Sequence, residues 1–473
     1  MKEQEVVFCS IRELGRMLRT RQITPTRLAE IFLHRLETLG PRYNAVVTVT
    51  RERALQQAQR AEAELAAGHD RGPLHGIPYG AKDLLATSGG IPTTWGAAPF
   101  REQTFDYDAT VIRKLEEAGA VLVAKLAMVE LAGGMGYRQP HASFTGPGIN
   151  PWHQKAWTGG SSSGSGAAVA AGLVPFALGS ETWGSIMSPA AYCGVTGLRP
   201  TYGRVSRYGA MALCWTLDKL GPLCLTADDC GLVLQAIAGP DPRDPSAVER
   251  PYRYALEETA SRRYRFGVPS GCLEGVEEAV KANFERSLAV LESLGTVEEV
   301  TLPDFPYEAV TRTILNAEAA SAFEDLITSG RIAELTAPED RYSSYARLTI
   351  LARDYLRALR IRGLLARAID ELLVHYDALV TPTRPTVAPP LGREFRSIAA
   401  GTGRDLIGAI GNGAGLPGVS VPNGFGENGL PTGLHLVGRA WEENRLLSIA
   451  HAYQQVTDWH TRHPPDLTAP PAP

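Results

Sequence analysis

The 473-residue chain has only six cysteines, and no two of them form a Cys-x-x-Cys pair. That scarcity excludes a disulfide-stapled scaffold and a thiolate zinc site, and it makes a reducing, cytoplasmic setting the expected one. Charge of one sign is missing too: 47 Lys+Arg stand against 51 Asp+Glu, a net charge of −4, with no run of like charge. A basic stripe for phosphates or a polybasic membrane anchor has no residues to be built from, so neither nucleic acid nor membrane is expected as a partner. Long hydrophobic runs are also lacking. The most apolar stretch, residues 167–179, is broken by Gly172 and Pro175 and is too short for a bilayer. Near the start, the patch Val6–Cys9 is no signal-peptide core. Lysine is scarce, seven residues against 40 arginines. Each lysine is therefore worth locating.

What is present fits a folded enzyme. Apolar residues make 44% and charged residues 21% of the chain, and 48 glycines with 33 prolines suit many tight strand-to-helix connections. Thr24-Pro25, followed by Leu28, Ile31, Phe32 and Leu36, reads as a capped helix start, with another helix over 11–20. Further helices are expected over 51–67 and 109–118. Short apolar runs at 45–50, 120–125, 264–268, 297–302, 376–381, 418–422 and 433–437 read as strands. Strands alternating with helices predict an α/β sheet covered on both faces. Residues 306–376 read as almost wholly helical. Arg347, Arg353, Arg357, Arg360, Arg362 and Arg367 there form a solvated face interleaved with Asp354, Asp370 and Glu371. A Pro/Asp loop at 241–251 could separate two lobes, and 466–473 is a Pro/Ala tail.

Three segments carry chemistry. Residues 159–166, Gly-Gly-Ser-Ser-Ser-Gly-Ser-Gly, run straight into the apolar Ala167-Ala168-Val169-Ala170-Ala171, placing hydroxyls and N–H donors at the start of a buried helix. A Gly/Ser linker would join polar surroundings, which these are not. The segment lacks the Gly-Lys-Ser/Thr of a phosphate loop and the spacing of a dinucleotide fingerprint. Gly160–Gly164 also fits the Gly-x-Ser-x-Gly elbow of α/β-hydrolases, with His435 or His451 downstream, but an elbow needs a preceding strand and residues 152–158 make a poor one. Lys82 lies in an apolar, Gly-rich stretch, where a desolvated ammonium loses its proton more easily and can act as a base. Lys125 reads instead as a lysine whose stem packs while its head reaches water. The third segment is Gly179-Ser180-Glu181-Thr182-Trp183-Gly184-Ser185-Ile186.

Together these segments resemble the amidase signature family: a lysine in Gly-x-Pro-x-x-x-Lys-Asp, a Gly-Gly-Ser-Ser run, and a Gly-Ser-Ile segment further on. The likeness extends from about residue 10 to residue 460, taking in Pro417–Pro422 and Leu430–Leu436. It implies one large amidase-signature domain over residues 1–473: a helical segment 1–70, a catalytic core over about 71–240, and a C-terminal part holding the helical region at about 306–375. Its sheet would be mixed, with helices on both faces. It further implies a Ser–cisSer–Lys triad of Ser185 (nucleophile), Ser161 (bridge) and Lys82 (base). Backbone N–H groups of Thr182, Trp183, Gly184 and Ser185 would form the oxyanion hole, with no cofactor and no metal. The substrate would be a small-molecule amide, and a homodimer stays open.

The chain departs from the usual Asp-Thr-Gly-Gly-Ser-Ile-Arg segment, carrying Glu181, Trp183 and Met187, so the acid–arginine pair is missing from this stretch. Ser163 and Glu181 are similar to the peptide-amidase branch. Trp183 is expected to line the substrate site, with Trp215 and Trp157 either beside it or packed in the core. The glutamine-hydrolysing subunit of aminoacyl-tRNA amidotransferases is the alternative. Its Leu-Ser-x-Gly-Tyr-Tyr-Asp-type stretch is replaced here by Tyr342–Leu348, which favours a stand-alone amidohydrolase. An inactive family member acting as a binding protein is disfavoured because all three triad positions are occupied.

Overall fold

The computed structural model describes residues 5–256, 262–395 and 405–467. Its strands are β1 (Val46–Val49), β2 (Pro78–Lys82), β3 (Val121–Leu126), β4 (Phe176–Glu181), β5 (Thr196–Arg199), β6 (Lys219–Cys224), β7 (Tyr264–Pro269), β8 (Gly295–Val300), β9 (Ala378–Pro382), β10 (Gly418–Phe425) and β11 (Pro431–Val437). They form one sheet in the order β1-β3-β2-β4-β6-β5-β10-β11-β9-β7-β8. β2 is parallel to β3 and β4, and β7 is parallel to β8 and β9. The other neighbours are antiparallel, so the sheet is mixed.

Alternation along the strands explains the layers. On β3, Val121 and Val123 enter one buried cluster and Leu122 another; on β4, Ala177 enters the first and Phe176 and Leu178 the second. Both faces are apolar because both are covered. The helices Arg51–Ala66 and Ser163–Ala170 lie on one side, Thr110–Glu117 and Ala227–Ile237 on the other. The fold is α/β, as the alternation predicts.

The helix Ser163–Ala170 is buried at every residue. It sits so close to its neighbours that a Cβ on Gly164 would come within 2.4 Å of the Ala45 carbonyl oxygen. Small residues therefore let the serine-rich segment reach the middle of the molecule. At the helix starting at Pro25, Thr24 caps as expected, its hydroxyl accepting the Arg27 N–H at 3.2 Å. The seven strands read from the sequence all form, with ends displaced by up to three residues. Four central strands, β2, β4, β5 and β6, have no counterpart among the expected elements. They contain Gly80, Gly179, Gly197, Gly221 and Pro222, residues that usually mark turns, and only pairing on both sides holds them extended.

The long helix Ala352–Leu373 leaves Arg353, Arg357, Arg360 and Arg367 exposed. Arg362 turns inward, donating to the carbonyls of Gly413 and Thr216, and Asp370 pairs with Arg439, not with its own helix. The 241–251 loop is tied to the core rather than free: Asp241 accepts from Ser206 Oγ at 2.8 Å and Asp244 from the Arg207 N–H at 2.7 Å. Of the C-terminal tail, residues 468–473 lie outside the described residues. Among the described residues no helix is long and apolar enough to cross a membrane.

Candidate active site

β2 ends at Lys82, and β4 pairs beside it, so the lysine and the end of β4 meet in the middle of the sheet. Lys82 Nζ lies 2.7 Å from Ser161 Oγ, 3.0 Å from Ser162 Oγ and 2.8 Å from Ser180 Oγ. Lysine and serines are all buried. Burial pushes the ammonium down to about 7, and the charges of Asp218 and Glu181 only partly oppose it. A neutral amine has one lone pair and two N–H groups, so one of the three hydroxyls must donate to it. Ser162 Oγ gives its proton to the Ser180 carbonyl at 3.2 Å, which leaves Ser161 or Ser180 as the donor. The peptide joining Gly160 to Ser161 is cis.

The turn from β4 into the helix Met187–Cys193 holds Thr182–Ile186. Gly184 has φ +81°, a left-handed conformation that favours glycine. Beneath the turn Glu181 is wholly buried, and its Oε2 accepts the N–H groups of Ile186 at 2.8 Å and Met187 at 3.0 Å. Its Oε1 accepts from Arg199 at 2.7 Å and from Asn412 Nδ2 at 3.1 Å, while Lys219 donates to Asn412 Oδ1 at 2.7 Å. Burial alone would raise the Glu181 pKa; Arg199 and Lys219 outweigh it and hold the carboxyl down at about 2. Burial, with Arg199 adding repulsion, brings Lys219 to about 7. So an acid–arginine pair exists after all, its arginine supplied by β5 instead of by the turn.

Ser185 is buried, and its carbonyl accepts the Ser162 N–H at 3.2 Å, which ties the turn to the serine-rich segment. Among the described residues no hydrogen bond engages the N–H of Trp183, Gly184 or Ser185, and none joins Ser185 Oγ to Ser161 Oγ. Neither candidate histidine serves Ser162. His435 is buried on β11, pushed down to about 3 by burial and Arg199, and residues 152–158 form no strand. The α/β-hydrolase elbow is thereby excluded. Among the described residues no group of three or more His, Cys, Asp or Glu is placed to hold a metal.

Residues 27–447 match the family model described as Amidase. The chain belongs to the amidase family. This amidase is 39% identical, across 97% of its length and 99% of the relative's, to a glutamyl-tRNA(Gln) amidotransferase subunit of Dechloromonas aromatica. Among solved structures it resembles the native peptide amidase of Stenotrophomonas maltophilia, with a TM-score of 0.84 and 30% identity over 97% of this chain and 98% of that one. It also resembles a protein from a vestigial complex tied to the origins of an s-triazine catabolic enzyme, with a TM-score of 0.86 and 29% identity over 94% and 98% of the two chains.

The tryptophans of the amidase take different places. Trp183 donates its indole N–H to Asp405 Oδ2 at 2.8 Å, and the Arg312 guanidinium lies over its ring at 5.2 Å. Trp215 is half-exposed and lines a cavity of about 240 Å³ whose inner end reaches Ser180 and Thr182. Trp157 is buried, stacked on Phe395 at 5.1 Å. Lys125 departs from expectation. It does not reach water but is wholly buried, paired with Asp83 at 3.0 Å and bonded to Thr93 Oγ1 at 2.7 Å. The acid that follows Lys82 in sequence supplies its counter-charge. Sequence reasoning misses Ser180, Arg199 and Asn412 as parts of the site and offers Ser162 only as the serine of an elbow, not as a partner of Lys82, although Ser180 too stands inside a segment that carries the chemistry.

Proposed function

We infer that the chain hydrolyses linear carboxamides through an acyl-enzyme on Ser185, with Ser161 relaying protons and Lys82 as the base. The observation that carries this reading is Lys82, an amine of pKa about 7 whose hydrogen-bond partners are serine hydroxyls. A serine hydroxyl needs such a base to become a nucleophile. Neutral Lys82 takes the Ser161 proton as Ser161 takes that of Ser185, and the Ser185 oxygen bonds to the amide carbon. The carbonyl oxygen becomes an oxyanion, facing the N–H groups of the Thr182–Ser185 turn. Collapse breaks the C–N bond while the relay, run backwards, protonates the leaving nitrogen. Water then attacks the ester, and the same groups return Ser185 to its hydroxyl form. Glu181 keeps the turn in place from below.

This reading needs no cofactor. It takes the chain as one catalytic unit, acting in the cytoplasm on a small-molecule amide and free to form a homodimer. Incubation with a panel of amides that includes glutamine, with ammonia or free amine as the readout, tests it. Release from at least one amide is expected, and no release from any would overturn it. A second reading, glutamine hydrolysis within a larger enzyme of several chains, is favoured by the full-length likeness to amidotransferase subunits. Turnover confined to glutamine and dependent on added partner protein would select it.

A further inference from the structure

Beyond β9 the chain carries Arg384 along a cavity of about 720 Å³ that Asp405, Leu406 and Ile407 also line. This cavity adjoins the nucleophile turn twice. Asp405 holds the indole of Trp183, two residues from Ser185. Arg384 Nε lies 3.5 Å from the hydroxyl of Tyr192, on the helix that follows the turn.

Among the described residues Arg384 has more donors than partners. A guanidinium offers five N–H groups in a flat fork and keeps its charge at any working pH. Among the described residues, its polar contacts are Tyr192 at 3.5 Å and Asp405 Oδ2 at 3.8 Å, both long. The Asp405 oxygen already accepts from Trp183. The arginine side chain keeps 29% of its surface open. A sheltered fork with unused donors, lining a cavity joined to the turn after β4 through Asp405 and Trp183, matches a carboxylate, which accepts two parallel N–H bonds. Two acids line this cavity, Glu274 on a separate loop and Asp405, which lies 3.8 Å from the arginine while accepting the Trp183 indole N–H, so Arg384 is the group there that can take a ligand's carboxylate.

We propose that this cavity takes the part of the substrate beyond the scissile carboxamide and that Arg384 binds an ionised carboxylate there. Amides carrying a second, free carboxyl group are then the preferred class. The proposal rests on the amide-hydrolysis reading, and its test separates the two.

Matched pairs of amides that differ by a carboxylate against a methyl group serve as probes: succinamate with butyramide, glutaramate with valeramide. Wild-type kcat/KM should favour the carboxylate member of a pair. In Arg384→Gln the ratio of carboxylate to methyl substrate should fall about 10- to 100-fold, as for loss of a charge-assisted pair. Arg384→Lys, which keeps the charge and loses the fork, should fall between the two. A merely structural arginine would lower both members together and leave the ratio unmoved. Turnover of amides without a carboxylate preference, or an unmoved ratio in Arg384→Gln, overturns the proposal. No turnover of any amide overturns the reading beneath it instead.

Discussion

Replacing Lys82 with methionine removes the amine from the serine cluster while keeping a side chain of similar length. In the wild type only the neutral amine accepts a proton, so kcat/KM should rise with pH through an apparent pKa of about 7 and then level off. Two pH units below that midpoint about 1% of the lysine is neutral, so at pH 5 the rate should lie about 100-fold below its plateau. In Lys82→Met the plateau should drop by about 10³-fold or more and lose this pH dependence. Stability gives an independent reading. The native lysine releases its proton at about 7 and the unfolded one at about 10.4, so between those values the unfolded chain binds the extra proton. Unfolding free energy therefore rises with pH across this window, by at most about 1.4 kcal/mol per unit and about 5 kcal/mol in all. Lys219, also lowered to about 7, adds a similar slope that both proteins share. Hydroxyls left without the amine shift the variant by an amount that does not depend on pH. Urea unfolding between pH 6 and 10, with kcat/KM on the best amide, compares the two proteins. Stability curves that stay parallel, or a variant that keeps the rising rate profile, would refute the reasoning.

Other changes probe the scaffold around the cluster. Glu181→Gln leaves the buried Arg199 without its counter-charge and should cost about 3 kcal/mol or more, with kcat falling further than KM changes; denaturation and steady-state kinetics check both, and unchanged kcat would contradict it. Trp183→Phe loses the bond to Asp405 but keeps a ring under Arg312, whereas Trp183→Gly loses both. Kinetics on a small and a bulky amide should fall together, more for glycine, because the donors of the turn lose their support; a gain for the bulky amide alone would show that the ring limits the site. Dialysis against a chelator should leave turnover intact, since the proposed groups are hydroxyls and an amine; complete loss restored by zinc would count against the mechanism.

Features that depend on near neighbours are legible in the sequence. Thr24 before Pro25 announces a cap, and the Gly/Ser run before five apolar residues announces a buried helix start. The layered α/β class follows from strands with no polar face. What stays hidden depends on distant residues. β2 and β4 carry the site, yet Gly80, Gly179 and the closing Lys82 and Glu181 give them no strand pattern, because extension there comes from pairing on both sides. Ser180 reaches Lys82 from 98 positions away, and nothing local distinguishes its hydroxyl from that of Ser165, which bonds to the Leu178 carbonyl instead. Lys125 reads as a lysine reaching for water because Asp83, its partner, lies 42 positions earlier on a neighbouring strand end. The arginine missing from the turn after β4 is likewise supplied by Arg199, from β5.

Labelling with a serine-directed phosphonate, followed by peptide mapping on wild type and Ser185→Ala, tests the central claim most directly. The account predicts a single adduct on Ser185, with Ser185→Ala folded, unlabelled and unable to hydrolyse any amide that the wild type cleaves. An adduct on Ser162, or amide turnover by folded Ser185→Ala, would contradict it.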